Sequence, residues 1–303
     1  MILDVQKISK TFPGNEVLRE VSFHIEDHEK AALVGINGAG KSTLLKIIMN
    51  EMPADSGSVT LAKGTRIGYL AQHQDLTGNN TIFEELMTVK KDILALDAGM
   101  RESERRMTDL AGEELEAEMK RYAAMQEAFD RQNGYAYRSE VIGVLKGLGF
   151  SEEDFGKKVA TLSGGQKTRV ALGTLLLTAP DIILLDEPTS FLDVRYKLEF
   201  LTLLRTLARK TPFAVILSLH EIDMAKQVAD YILTIKDRTV DKYGLSDEVF
   251  SPGYIEHLFD ITVGSFNDET CQAIMPPEDS AEAALPGRTP QAGAEALSGG
   301  TEE

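Results

Sequence analysis

One cysteine, Cys271, and five histidines are the only thiol and imidazole groups in these 303 residues. A single thiol excludes an internal disulfide framework and suits a reducing compartment, so a cytoplasmic location is expected. The histidines and the cysteine show no metal-ligand spacing, so no metal centre built from them is expected. No apolar run reaches about eighteen residues and no charged-then-apolar leader opens the chain, so neither direct membrane insertion nor a signal peptide is expected. Basic residues are also in short supply. There are 32 Lys and Arg against 48 Asp and Glu, a formal net charge of −16.

Much of that excess sits at one end. From Ser265 to Glu303 there are eight acids and one arginine, with Pro276, Pro277, Pro286 and Pro290 among small residues. Such a segment cannot bury enough apolar surface to offset the entropy of ordering it, so residues 265–303 are expected to be an acidic, disordered tail. Upstream, a hydrophobic content of 43% is enough for a sizeable core. Residues 1–264 are expected to form one domain, with the boundary at Gly264.

What the chain does have is a phosphate loop. Gly35 to Ser42 fits G-x-x-x-x-G-K-[ST], a loop whose backbone N–H groups cradle phosphates. Lys30–Val34 reads as a buried strand leading into it, and Ser42–Asn50 reads as a mostly buried helix leading out. Gly35, Gly38 and Gly40 allow the backbone to approach an anion, and the helix N-terminus adds unpaired N–H groups and a partial positive charge. Lys41 is placed to reach the β- and γ-phosphates, and Ser42 to ligate Mg²⁺. A second strand, Asp181–Leu185, ends in Asp186 and Glu187. Two acids at the carboxyl end of a parallel strand point to an Mg²⁺ carboxylate, Asp186, and a general base, Glu187.

With these residues in place, the chain resembles the ATP-binding cassette (ABC) ATPases over residues 1–264. Leu162-Ser-Gly-Gly-Gln166 looks like their signature sequence. The resemblance implies an α/β fold: a RecA-like P-loop core, an antiparallel β subdomain to which the alternating first strand belongs, and a helical subdomain. It implies ATP contacts from Gly35, Asn37, Gly38, Gly40, Lys41, Ser42 and Thr43. A second copy would contribute Ser163, Gly164, Gly165 and Gln166 to the γ-phosphate. Gln72 resembles the glutamine that senses Mg²⁺ and the attacking water, although Gln74 lies close by. Ser190-Phe-Leu-Asp193 resembles the loop at the dimer seam, and His220 the switch histidine. Phe12 stands where an aromatic ring stacks on adenine, a position a core phenylalanine would fill equally well. Because phosphate loop and signature lie on opposite faces of such a cassette, a head-to-tail pair with a second cassette, identical or related, is implied.

Ninety residues separate Gln72 from Ser163, long for a transporter cassette. Leu86, Val89, Ile93, Leu96 and Met100, then Leu115, Met119, Tyr122 and Phe129, step by threes, fours and one heptad. They predict a helical-hairpin arm within 82–133 that turns near Thr108–Gly112. Such an arm resembles the ABC-F group, cassette ATPases that act on the ribosome. After Glu187 the likeness shifts: Thr189–Glu199, Ser218–Lys226 and Asp247–Ile255 are similar to the ATPase subunits of iron–siderophore importers. Two related halves thus join near Leu185–Ser190, and mismatch is expected between Thr174–Leu177 and Leu198–Leu207. The first reading implies a ribosomal partner. Residues 88–133 carry eight Lys or Arg against eleven Asp or Glu, so RNA phosphates would repel the arm on average. Arg101, Arg105 and Arg106 offer a local patch that a solvated helix face would explain as well. The second reading implies a membrane permease subunit and a place at the inner membrane's inner face. A third, an ATP-gated clamp without turnover, is opposed by Glu187 and His220.

Overall fold

The computed structural model describes residues 1–71, 76, 78–190, 192–210, 213–251, 253–261, 266–267 and 272–273. The chain opens with β1 (Leu3–Phe12) and β2 (Asn15–Ile25), followed by β3 (Lys30–Val34) and α1 (Lys41–Ile48). Next come β4 (Ser56–Leu61), β5 (Ile67–Leu70), α2 (Ile82–Met87), α3 (Lys91–Met107), α4 (Gly112–Arg131) and α5 (Tyr137–Gly147). The second half holds α6 (Gly164–Leu176), β6 (Ile182–Leu185), α7 (Val194–Lys210), β7 (Ala214–Leu219) and α8 (Ile222–Val228). It continues with β8 (Tyr231–Lys236), β9 (Thr239–Leu245), α9 (Ser246–Val249) and α10 (Tyr254–Phe259), and ends in a short pair, β10 (Phe266–Asn267) and β11 (Gln272–Ala273).

Six strands form one sheet in the order β5-β6-β7-β3-β8-β9, parallel except for the antiparallel edge β9. The central strands are predominantly apolar because both faces are covered. In β6, Ile182 and Leu184 enter one core while Ile183 and Leu185 enter the other. The first core lies under the antiparallel sheet β2-β1-β4 and α1, and the second under the helices from α2 onward. Arg19 N–H donates to Arg238 O at 2.7 Å and Arg238 Nη1 to Glu16 at 3.2 Å, tying the small sheet to the edge of the large one.

α3 and α4 pack antiparallel, and residues 108–111 connect them. Ile93, Met100 and Phe129 are buried, whereas Met119 is exposed. The inward row of α4 passes instead through Leu115, Glu118, Tyr122, Met125 and Phe129. Glu118 takes the place assigned to Met119 because its carboxylate accepts a hydrogen bond from the buried Ser103 hydroxyl across the pair. One turn along, Tyr122 OH donates to Glu104 at 2.9 Å.

Packing is looser between α5 and α7. A cavity of about 490 Å³ is bounded by Val144, Leu176, Pro180, Leu207 and Phe213. A second, of about 500 Å³, lies further along the same two helices beside Leu148, Leu198 and Leu203. Gly147 borders both. Among the described residues, no helix is long and apolar enough to cross a membrane.

Candidate nucleotide site

The site gathers where β3, β6 and β7 end side by side. β3 runs into the loop at Gly35, where an added Cβ would sit 2.5 Å from Ile235 O of the neighbouring strand. The next constraint is Gly40, at φ +98° as the N-cap of α1, a left-handed conformation that favours glycine. With no side chain at the cap, no side-chain acceptor covers the first N–H groups of α1, which face the loop as anion donors. Asn37 and Gly38 are exposed on the loop crest, and Ser42 and Thr43 are half-buried in the first turn.

Lys41 is nearly sealed in, with 3% of its side chain accessible. Its ammonium donates to Gly35 O at 2.9 Å and Ile36 O at 3.1 Å, and lies 3.9 Å from Glu187 Oε1. Burial pulls its pKa below the ordinary 10.5, against the opposing pull of Glu187 and Asp186. A phosphate would add negative charge beside this desolvated cation.

Asp186 follows β6 and is buried. Ser42 Oγ donates to its Oδ1 at 3.0 Å, Ser218 Oγ to the same oxygen at 3.2 Å, and Tyr69 OH to Oδ2 at 3.3 Å. Three elements, α1, β7 and β5, thus aim one carboxylate. Burial, with the Asp186 charge beside it, pushes the Tyr69 hydroxyl well above its usual pKa, so it stays a donor. A hydroxyl and a carboxylate this close are hard oxygen donors of the kind Mg²⁺ takes alongside phosphate oxygens, so the residues fit that ion. Among the described residues no cluster of three or more His, Cys, Asp or Glu stands ready to hold another metal.

Glu187 has φ +46°, in the left-handed region, unusual for a residue with a full side chain. Several contacts hold it there. Its N–H donates to Ser218 Oγ at 3.1 Å, and Ser190 donates its backbone N–H to Glu187 O and its hydroxyl to Oε2, both at 3.1 Å. His220 Nε2, just past β7, meets Oε1 at 2.5 Å. Lys41, Asp186, Glu187 and His220 therefore occupy one cluster, brought together from positions up to 179 residues apart (220 − 41).

Ser163 is the N-cap of α6, which starts at Gly164, whereas the sequence pattern after the two glycines predicts a helix over Lys167–Leu177. A capping box explains the earlier start: Gln166 N–H donates to Ser163 Oγ at 3.4 Å and Ser163 N–H to Gln166 Oε1 at 3.1 Å. Ser163 and Gly164 are exposed, and Gly165 packs under Tyr196. Among the described residues, no hydrogen bond or ion pair links 163–166 to the phosphate loop. Phe12 is exposed where β1 turns into β2, with Lys10 Nζ 5.9 Å from its ring centroid, leaving a ring face open for stacking. Gln72 and Gln74 lie outside the described residues, as does Phe191 of the seam loop. Sequence reasoning missed Tyr69 and Ser218 as site residues and gave Ser190 only as part of the seam loop, not as a partner of Glu187. Ser218 left one trace, a lone hydroxyl in the otherwise apolar run of β7.

The family model for "ABC transporter" matches residues 18–190. "Putative ATP-binding protein YdiF" of Bacillus subtilis (strain 168) is 40% identical over 243 residues, 80% of this chain and 37% of that protein. "ABC transporter F family member 5" of Arabidopsis thaliana is 33% identical over 197 residues, 63% of this chain and 28% of the plant protein. The chain thus spans well under half the length of these two relatives. "Phosphonates import ATP-binding protein PhnC" of Treponema denticola is 28% identical over 257 residues, 82% of this chain and 91% of its own length. Among solved structures, cbiO1 from Clostridium perfringens, part of the transporter complex cbiONQ, superposes with TM-score 0.61 at 23% identity. That superposition covers 84% of this chain and 93% of cbiO1 and establishes a shared cassette fold.

Proposed function

Because the chain belongs to the ABC transporter family and carries its ATP-binding cassette, we propose that it hydrolyses ATP with Mg²⁺ in a head-to-tail pair of cassettes. The observation that carries the reading is the convergence of Lys41, Asp186, Glu187 and His220 at one strand edge. In this mechanism the loop N–H groups and Lys41 bind the phosphates. Ser42 and Asp186, with Gln72, would hold Mg²⁺, which when bound neutralises charge on the β- and γ-phosphate oxygens. Glu187 takes the proton of the water that attacks the γ-phosphorus as the bond to the ADP oxygen breaks, giving ADP and phosphate. His220 orients Glu187 and the γ-phosphate. Ser163, Gly164, Gly165 and Gln166 of a second copy close the site, and Phe12 stacks on adenine. Sedimentation of Glu187→Gln with and without ATP tests the pair: a species that stays monomeric with ATP would overturn it.

The work done by ATP is assigned first to an ABC-F-like role on the ribosome. Support comes from the paired helices α3 and α4 between β5 and α6, and from the likeness to the plant F-family member. The second reading, the ATPase subunit of an importer, rests on the near-full-length match to PhnC and on the residues after Glu187. Co-sedimentation with ribosomes in a non-hydrolysable ATP analogue, set beside capture by an importer membrane subunit, separates them. Ribosome pelleting without permease capture supports the first, and the converse supports the second.

A further inference from the structure

We propose that Ser218 is a positioning residue that fixes the magnesium carboxylate and the general base relative to each other, a role that rests on the ATPase reading above. Ser218 has no accessible surface and faces β3 in the parallel register Leu33↔Ser218. Every other residue of β7, from Ala214 to Leu219, is apolar. A buried hydroxyl must find partners, and the backbone groups around it are engaged in the strand ladders. Its one oxygen serves two neighbouring residues of another element. It donates to Asp186 Oδ1 at 3.2 Å and accepts from the Glu187 N–H at 3.1 Å.

The consequence is geometric. The Asp186 side chain and the Glu187 backbone are tied to the same atom, so neither can rotate without breaking a hydrogen bond. Glu187 needs that tie, because its φ of +46° is a conformation that an unsupported glutamate backbone disfavours. The same strand end leads, two residues later, to His220 against the Glu187 carboxylate. β7 therefore presents one group to the backbone of the base and another to its side chain. Ser42 and Tyr69 also hold Asp186, but neither reaches Glu187 N–H. Ser218 thus hydrogen-bonds both the Asp186 carboxylate and the Glu187 N–H through one oxygen, and it is fully buried.

The test compares Ser218→Ala and Ser218→Thr with wild type in three measurements: Mg²⁺ titration of fluorescent ATP-analogue binding, kcat against KM for hydrolysis, and thermal unfolding. Binding without Mg²⁺ should be unchanged in Ser218→Ala, because the loop and Lys41 are intact. The Mg²⁺ concentration that half-saturates the tightening of binding should rise about tenfold, as expected for losing a hydrogen bond to a charged group. A similar fall in kcat should appear with KM little changed, and Ser218→Thr, which keeps the hydroxyl, should recover most of both. A Ser218→Ala protein that only melts earlier, with wild-type Mg²⁺ requirement and kcat, would overturn the proposal. If Ser218→Ala does not fold, Ser218→Cys, which keeps the volume with a weak donor, carries the same expectations and the same overturning result. Wild-type protein that shows no Mg²⁺-dependent nucleotide binding would overturn the ATPase reading itself, an outcome distinct from failure of the variants alone.

Discussion

The strand edge that holds Lys41, Asp186 and Glu187 and the groove between α5 and α7 lie in the same molecule and are packed by opposite rules. At the strand edge, each of these three side chains has named partners, several shared, and Lys41 is almost entirely enclosed. Between α5 and α7, two cavities of about 490 and 500 Å³ are lined by apolar side chains such as Val144, Leu176 and Leu203 together with polar and charged ones such as Asp181, Arg169 and Glu199. The first region tolerates little change because a buried polar group left without its partner costs free energy. The second tolerates more, since side chains beside an existing void have contacts missing already. The looser region is also where α7 lies beside α5 and α6.

The largest effect should come at the tight end. Glu187→Gln removes the proton acceptor while keeping the volume, so hydrolysis should fall by about 10²–10⁴-fold with nucleotide still bound. Steady-state phosphate release beside nucleotide-binding titration checks this. Undiminished turnover would remove Glu187 from the chemistry.

Next in size is a contrast between two leucine truncations. Leu44, fully buried in α1 beneath the phosphate loop, should cost about 2–5 kcal/mol on replacement by alanine. Leu207, half-buried at the wall of the 490 Å³ cavity, should cost less than about 2 kcal/mol. Urea unfolding of Leu44→Ala and Leu207→Ala measures both. Equal losses would mean that the α5–α7 side is as well packed as the strand edge.

How far these regions were legible in the sequence follows the same division. β3 and β6 were readable because strands covered on both faces are continuous apolar runs, and the phosphate loop because its residues are contiguous. Ser218 and Tyr69 were not, because each contacts Asp186 from a strand that is distant in sequence, and strand order is not written locally. Met119 was misplaced because spacing alone cannot separate the i+3 from the i+4 position, and the Ser103–Glu118 hydrogen bond decided it. The start of α6 moved three residues upstream because a capping box adds a turn before the apolar pattern begins.

A smaller, pH-dependent effect is expected at Lys41. Its folded pKa is lowered chiefly by burial, so the cost of holding the charge is fully present below that depressed value. The cost is relieved as pH rises from the depressed value toward 10.5. Bound phosphates should raise the pKa again, so ATP binding should take up protons between the depressed value and 10.5 and weaken as pH climbs through that window. Calorimetric titration in buffers of differing ionisation enthalpy reads the proton uptake. Its absence would mean that Lys41 does not face the phosphates.

The smallest effect belongs to the loose side and has the opposite sign. Gly143 is exposed within α5 and borders the 490 Å³ cavity, and an added Cβ there would meet nothing within 4 Å. Gly143→Ala should therefore stabilise by about 0.5–1 kcal/mol, through the unfolded chain's lost freedom and better helix propensity. Gly173 in α6 is the matched control. There a Cβ would sit 2.7 Å from Leu148 Cδ1, so Gly173→Ala should destabilise by about 1–3 kcal/mol through overpacking. Thermal unfolding of the pair gives the two signs directly. A destabilised Gly143→Ala would show that α5 closes onto α7 in solution, and the contrast between the two regions would shrink accordingly.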